Sequence, residues 1–503
     1  MAQVSRRTLL AAGAATVVAA NGLRWVTADA STTGPAGDLP DDPFTLGVCA
    51  GDPDASSAVL WTRLTALDGA SLPAGDVVVT WELANDPDFS APVASGDTVA
   101  AAADGHSVHV VVDVAGPSWY RFRAGAWTSP VGRVAPAVGD TLRLAATTCQ
   151  HFETGYYAAH RDIAELAPDL VVFLGDFIYE GASQPVGGDR VRSHRGDEPR
   201  DLDAYRDRYA QYLGDADLQA ARAAAPWLVI WDDHEVENNY AGLTSEDDDP
   251  IDVFRTRRLA AYQAWWEHMP VRIRRPRADV DTIIYRTISW GTLADFVLLD
   301  GRQFRSDQAC GDVVLDLSPA CPGASDPTRT MLGIEQERWL DGQLAASAAT
   351  WPVITQQTVV TDIRLPNGAV INYDQWDGYA PARDRMLFSA AVHTPRTIVL
   401  TGDIHLAAVG QLPGVGIEFV STSISSNGLV PANFQGAVTD FPRVIGAELE
   451  HRGYTRHTVD ATRWLAEFCI VDDVTDPSSA VRTWQSFAVD PSVRDAVTTV
   501  GAS

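Results

Sequence analysis

The stretch LVVFLGDFIYE, residues 170–180, runs through five apolar residues, turns at Gly175 and Asp176, and then offers Tyr179. A short apolar run closed by a turn reads as a strand buried on both faces, as in parallel sheets. Upstream, TLRLAATTCQ (141–150) has the same character, and YAAHRDIAELAPD (157–169), lying between them, has helical periodicity ending at Pro168. Strand, helix and strand in this order form a parallel β-α-β unit. Further buried strands read at 226–233, 294–302, 351–357 and 396–405, with helical stretches at 250–268 and 333–346. The segments 467–474 and 481–490 read as a closing hairpin, and 491–503 is left as a tail.

Residues 42–136 have a different texture. AVLWTRL, GDVVVTWELAND, HSVHVVVDVAG and SWYRFRAG alternate and are broken by turn residues every ten or so positions, the pattern of a small antiparallel β-sandwich. His106 and His109 fall on a strand face there and are not read as ligands. Before it, Ser5-Arg6-Arg7-Thr8-Leu9-Leu10 precedes an Ala-rich apolar stretch too short to span a bilayer, and Ala28-Asp29-Ala30 offers a cleavage site. Residues 1–30 therefore read as a twin-arginine export signal, handled by that export machinery and leaving the mature chain secreted, periplasmic or in the cell envelope. The domains expected are 1–30, a β-sandwich at 38–137, a catalytic α/β domain at 140–490, and the tail.

Composition agrees with a folded extracellular protein and excludes some partners. The chain is 46% hydrophobic and 21% charged, and 38 Lys+Arg against 66 Asp+Glu leave a net charge of −28. Such a balance is unsuited to gripping nucleic acid or an anionic membrane through phosphates. Cys310 and Cys321 flank a short loop and suit a local disulfide, whereas Cys49 and Cys469 read as buried small apolar residues. The chain is expected to act as a monomer.

Chemistry gathers at the strand ends. Four buried strands finish in polar clusters: TTCQH with Cys149, GDFIYE with Asp176 and Tyr179, WDDHEVENN with Asp233 and His234, and TGDIH with Asp403 and His405. Ligands of open α/β sheets bind at the carboxyl ends of strands, so these clusters should converge on one crevice. That much negative charge could not stay ionised together without cations. A thiolate and a phenolate suit a ferric ion, and the carboxylates suit calcium, manganese or magnesium, with Asp176 placed to bridge the two.

The elements Gly175-Asp176-x-x-Tyr179, Asp233-His234-Glu235 and Gly402-x-x-His405 resemble the calcineurin-like, or purple-acid-phosphatase-like, metallophosphoesterases. Cys149 stands where that superfamily commonly has Asp, Asp233 where it has Asn, and Asp403 where it has His. Together with LLDGRQFR and GDPDASSAVLWTRL, these departures resemble the secreted PhoD-type alkaline phosphatases. The resemblance implies a four-layer β-sandwich flanked by helices (an α/β or α+β fold), preceded by the small all-β domain. It also implies Fe3+ on Cys149, Asp176, Tyr179 and His405, and one or two Ca2+ ions, the first on Asp176, Asp233 and Asp403. Gln356 or Gln357 would serve where the superfamily has a further His, or a water would fill that position, and Asn238 and Asn239 could supply oxygens to a second calcium or to substrate.

The expected reaction is phosphate-ester hydrolysis by in-line attack of activated water, with His234, cationic among acids, as general acid. Arg302 and Arg305 either contact phosphate or pair with local acids. The alternative is a preference for diesters, including phospholipid headgroups. A remoter one is a non-catalytic cell-surface binding protein that keeps metal for stability.

Overall fold

The computed structural model describes residues 39–65, 72–311, 321–365, 367–493 and 495–500. The export signal expected over 1–30 lies outside them. Among the described residues the chain builds sheets of ten, seven and five strands. The larger sheet has a parallel centre, Thr141–Thr147, Leu170–Phe173, Pro226–Val229 and Val48–Gly51. The seven-stranded sheet has its own parallel centre, Ala294–Leu298, Trp351–Thr355, Thr397–Thr401 and Gly416–Val420.

The two sheets pack face to face. Leu144, Val172 and Leu228, which share a face of the first sheet, join one core with Phe296, Val353, Ile398, Leu400 and Phe419. Along the second sheet the alternate residues Val297, Ile354 and Val399 face the other way, into a core with Leu340 and Leu344 of the helix Gly333–Ala346 and Met386 of the helix Ala380–His393. The period of two along the strands of the second sheet thus separates an inner from an outer core. Helices Ala158–Leu166, Leu202–Leu213, Ala216–Ala224 and Ile251–His268 cover the first sheet through Ile163, Tyr209, Leu218 and Trp265. The result is a four-layer α/β sandwich. No helix among the described residues is long and apolar enough to cross a membrane.

The N-terminal β domain is present, with a core of its own that includes Val79, Leu83, Tyr120 and Phe122. It is not a closed sandwich. Val48–Gly51, Ser57–Arg63 and Ser107–Asp113 continue the ten-stranded sheet, with Ala50 paired to Pro226, while the five-stranded sheet covers them. His109 stacks on Trp266 at 4.5 Å and its Nε2–H donates to the Met269 carbonyl at 2.9 Å, so it serves packing against the helix Ile251–His268. The hairpin Trp464–Val471 and Val481–Val489 closes the other side of the large sheet. The segment 491–503, read as a tail, adds the edge strand Val497–Val500. Cys310 and Cys321 are joined in a disulfide, and Cys49, Cys149 and Cys469 are free and buried.

Candidate active site

The strands stop short of their polar clusters, at Thr147, Phe173, Val229 and Thr401, so the chemistry sits in the turns that follow. Those turns are tight. Cys149, Asp176, Asp403 and His405 all adopt left-handed backbone conformations, with φ of 55°, 59°, 67° and 54°. Each such conformation costs a non-glycine residue on the order of 1–3 kcal/mol, and its recurrence at the strand ends of both large sheets marks a site rather than a turn preference. At Gly175 (φ 110°) a Cβ would lie 2.4 Å from that of Asp232, so only glycine lets these two turns approach. The turns are also laced together. Cys149 N–H donates to the Gly175 carbonyl at 3.1 Å, and the Glu235 carboxylate accepts the amides of Asp176, Phe177 and Asp232 at 3.0, 2.7 and 2.7 Å.

At these turns three groups of side chains each bring ligand atoms within 4.8 Å of one another, Cys149 with Asp176 and His405, Asp176 with Asp233 and His234, and Asp232 with Asp233 and Asp403; the fourth such group among the described residues, Glu448, Glu450 and His451, lies apart from these turns in sequence. Tyr179 joins the first group, its hydroxyl donating to Asp176 Oδ2 at 2.9 Å and lying 3.1 Å from His405 Nε2. His405 Nδ1 is 2.6 Å from the Asn427 carbonyl, which can only accept, so Nδ1 carries the proton and Nε2 presents its lone pair.

The donor set fits metal ions. Asp176 Oδ1, Asp232 Oδ2 and Asp233 Oδ1 are buried oxygens without a hydrogen bond. Burial, then the Asp176 carboxylate, pushes the Cys149 thiol well above its usual range and does the same to the Tyr179 phenol. Burial also raises Asp403 to about 6, against the pull of Arg302 and with the help of Asp374 and Asp233. Such groups ionise together only when cations join them.

His234 lies beside the acids. Its Nδ1 is 2.7 Å from Glu180 Oε2, and its ring lies over that of Tyr179 at 4.1 Å. Burial opposes its charge, but Glu180, Asp176 and Asp233 outweigh burial and set its pKa well above the usual histidine value. Burial would raise Glu180, yet the charge of His234 and its hydrogen bond bring it down to about 2.

Several expected residues are placed differently. Gln357 gives its amide hydrogens to the carbonyls of Trp231 (2.7 Å) and Leu299 (3.1 Å) and takes the Gly301 amide on its oxygen, so it pins backbone instead of offering a ligand. Gln356 is likewise spent, on the Thr358 backbone and the Trp376 indole. Arg302, a candidate for phosphate contact, is fully buried, with Nε on Asp232, Nη1 on Asp374 at 2.7 Å, and Nη2 on Asp403 at 3.1 Å and Asp233 at 3.4 Å. It neutralises acids from the surrounding turns and is buried away from the rim. Arg305 also pairs with Asp374, at 2.8 Å. Asn238 and Asn239 line the rim: the Asn238 side chain engages Glu246, and the Asn239 amide donates to Asp233 Oδ2 at 2.6 Å.

Glu180, Asp232, Asp374 and Gln375 went unassigned in the sequence reading. Glu180 directly follows Tyr179 and Asp232 directly precedes Asp233, so both were within reach. Asp374 and Gln375 sit in a loop without a preceding strand, and no local pattern marks them.

The sequence pattern described as PhoD-like phosphatase matches residues 144–468, and that of the PhoD-like phosphatase N-terminal domain matches 29–137. Alkaline phosphatase D of Bacillus subtilis (strain 168) is 40% identical over 472 residues, covering 88% of this chain and 80% of that protein. A solved structure of PhoD matches with a TM-score of 0.87 and 38% identity, covering 93% of this chain and 94% of that one.

Proposed function

This chain belongs to the PhoD-like phosphatase family of phosphoric ester hydrolases, and from that premise we propose that it is an exported, metal-dependent alkaline phosphatase acting on phosphate monoesters. One observation carries the reading. Asp176 belongs both to the group with Cys149 and His405 and to the group with Asp233 and His234, and Asp233 in turn belongs to the carboxylate group with Asp232 and Asp403, so a single buried carboxylate links a thiol–phenol–imidazole set to a carboxylate-rich one. Cys149, Asp176, Tyr179 and His405 suit a ferric ion, and Asp176, Asp233 and Asp403 suit calcium. When bound, these cations supply an acidified water and neutralise charge on the phosphoryl oxygens.

The chain's own residues do the rest. Glu235 fixes the turns through three backbone amides, which sets the Asp176 carboxylate in place. Glu180 anchors His234 at Nδ1 and keeps it protonated, leaving Nε2–H as the ring's second donor. That proton goes to the ester oxygen as its bond to phosphorus breaks, and the proton released by the attacking water restores the balance over the cycle. Arg302 stays with its carboxylates and takes no part in substrate binding.

The test compares p-nitrophenyl phosphate with bis(p-nitrophenyl) phosphate on the purified metal-loaded enzyme. Faster turnover of the monoester is expected, with both rates lost on chelation. A faster diester would move the substrate class, and turnover of neither would remove the reading. Export is tested separately: with Arg6 and Arg7 both changed to lysine, activity should stay inside the cells, and undiminished export would count against the twin-arginine route.

A further inference from the structure

We propose that Asp374 and Gln375 are positioning residues for the second cation, tied down beside the carboxylates by contacts of Tyr373 with the Cys310–Cys321 disulfide; this rests on reading Asp176, Asp233 and Asp403 as ligands. The loop carrying the two residues follows no strand end, yet it reaches the site at Asp403 and at Arg302. Gln375 is anchored by the Val359 amide, which donates to its Oε1 at 2.7 Å, and its Nε2 donates to Asp403 Oδ2. Arg302 holds the other oxygen of Asp403 at 3.1 Å. Asp403 is thereby fixed in rotation even though its backbone is strained.

Asp374 sets the charge. It is 2% exposed and receives Arg302 Nη1 on both oxygens, at 2.7 and 2.9 Å, along with Arg305 Nη1 at 2.8 Å and Gln308 Nε2 at 3.0 Å. Two buried guanidiniums beside Asp232, Asp233 and Asp403 would by themselves repel a divalent cation and draw those acids toward themselves. Asp374 offsets part of that positive charge, so Asp233 and Asp403 keep enough negative charge for a cation. Neutralising Asp374 therefore weakens cation binding on both counts.

The clamp runs back to the disulfide. Gln308 Nε2 and Arg305 Nη2 each donate to the Asn239 carbonyl at 2.6 Å, and the amide of Asn239 holds Asp233 Oδ2. Two residues beyond Gln308, Cys310 is bonded to Cys321, whose amide donates to the Tyr373 hydroxyl at 3.3 Å, and Ala309, Ala324, Val370 and Tyr373 form a small core. The segment ahead of Cys310 thus reaches Asp233 through Asn239, and the Tyr373–Gln375 segment, bonded to Cys321, reaches Asp403.

The test uses the full chain with its first metal in place and calcium removed by a selective chelator, titrated with calcium by calorimetry, with metal content measured per chain. Asp374→Asn should weaken calcium binding at least tenfold and Asp374→Glu should recover most of it. Gln375→Met and the double variant Cys310→Ser/Cys321→Ser should weaken it several-fold. In every variant the first-site metal should remain at the wild-type level. Calcium affinity unchanged in both Asp374→Asn and Gln375→Met would overturn the proposal, as would loss of both metals in parallel, since that would make the loop a general support. A wild-type chain that takes up no calcium would remove the reading beneath it as well.

Discussion

Asp176→Asn is expected to lower turnover on p-nitrophenyl phosphate by ~1,000-fold or more and to empty the first cation site together with the second. Asparagine keeps the shape of the side chain but removes the one carboxylate common to both ligand groups. Cations in such sites contribute several kcal/mol of transition-state charge stabilisation, which corresponds to losses of this order. The framework should survive. Glu235 grips the backbone amide of residue 176 and not its side chain, and Gly175 still permits the close approach to Asp232.

Stability should respond with the opposite sign. Without metal, burial and the carboxylates of Asp233, Glu235 and Asp403 push the Asp176 pKa well up, with His234 as the opposing charge, so an ionised Asp176 is unfavourable there. Metal-stripped Asp176→Asn should therefore melt no lower than metal-stripped wild type, while the wild type gains far more on metal addition. Elemental analysis, initial rates and melting curves with and without metal decide the matter. A variant that keeps both metals, or more than a tenth of the activity, would remove Asp176 from the centre of the site.

Much of this site was legible because parallel strands buried on both faces leave continuous apolar runs, and the polar residues that end them stand out. Leu170–Phe173 and Thr397–Thr401 announce Asp176, Asp403 and His405 in this way. Long-range pairing has no such sign. Val48–Gly51 is a four-residue segment whose parallel partner, Pro226–Val229, is far along the chain, so the continuity of the N-terminal strands with the catalytic sheet was not readable. The helices Leu202–Leu213 and Ala216–Ala224 were readable but went unread. Asp201 and Asp215 cap them by accepting the amides of Ala204 and of Asp217 and Leu218, an ordinary helix-start signal. Arg302 shows a different limit to local reading: its position after a strand suggests phosphate, and only the fold reveals that carboxylates from three other segments occupy its guanidinium.

His234→Gln is expected to slow an alkyl phosphate by ~100- to 10,000-fold, the usual contribution of a positioned general acid, and p-nitrophenyl phosphate by much less. The contrast comes from the leaving group. An alkoxide needs a proton as it departs, whereas nitrophenolate leaves readily without one. Glu180→Gln separates positioning from proton donation. The amide keeps one acceptor oxygen, enough for His234 Nδ1–H or for the Asn238 N–H where the carboxylate served each with its own oxygen, and it no longer supplies the charge that favours the protonated ring. Its effect should therefore be smaller than that of His234→Gln, show the same bias toward the alkyl ester, and vanish in the His234→Gln background, because a residue acting only through His234 has nothing left to act on. Metal content should be that of the wild type in all three proteins. If His234→Gln slowed both esters equally, the imidazole would be binding phosphate or metal instead of giving up a proton. Additive losses in the double variant would give Glu180 a role independent of His234, which its 2.7 Å contact with the ring does not suggest.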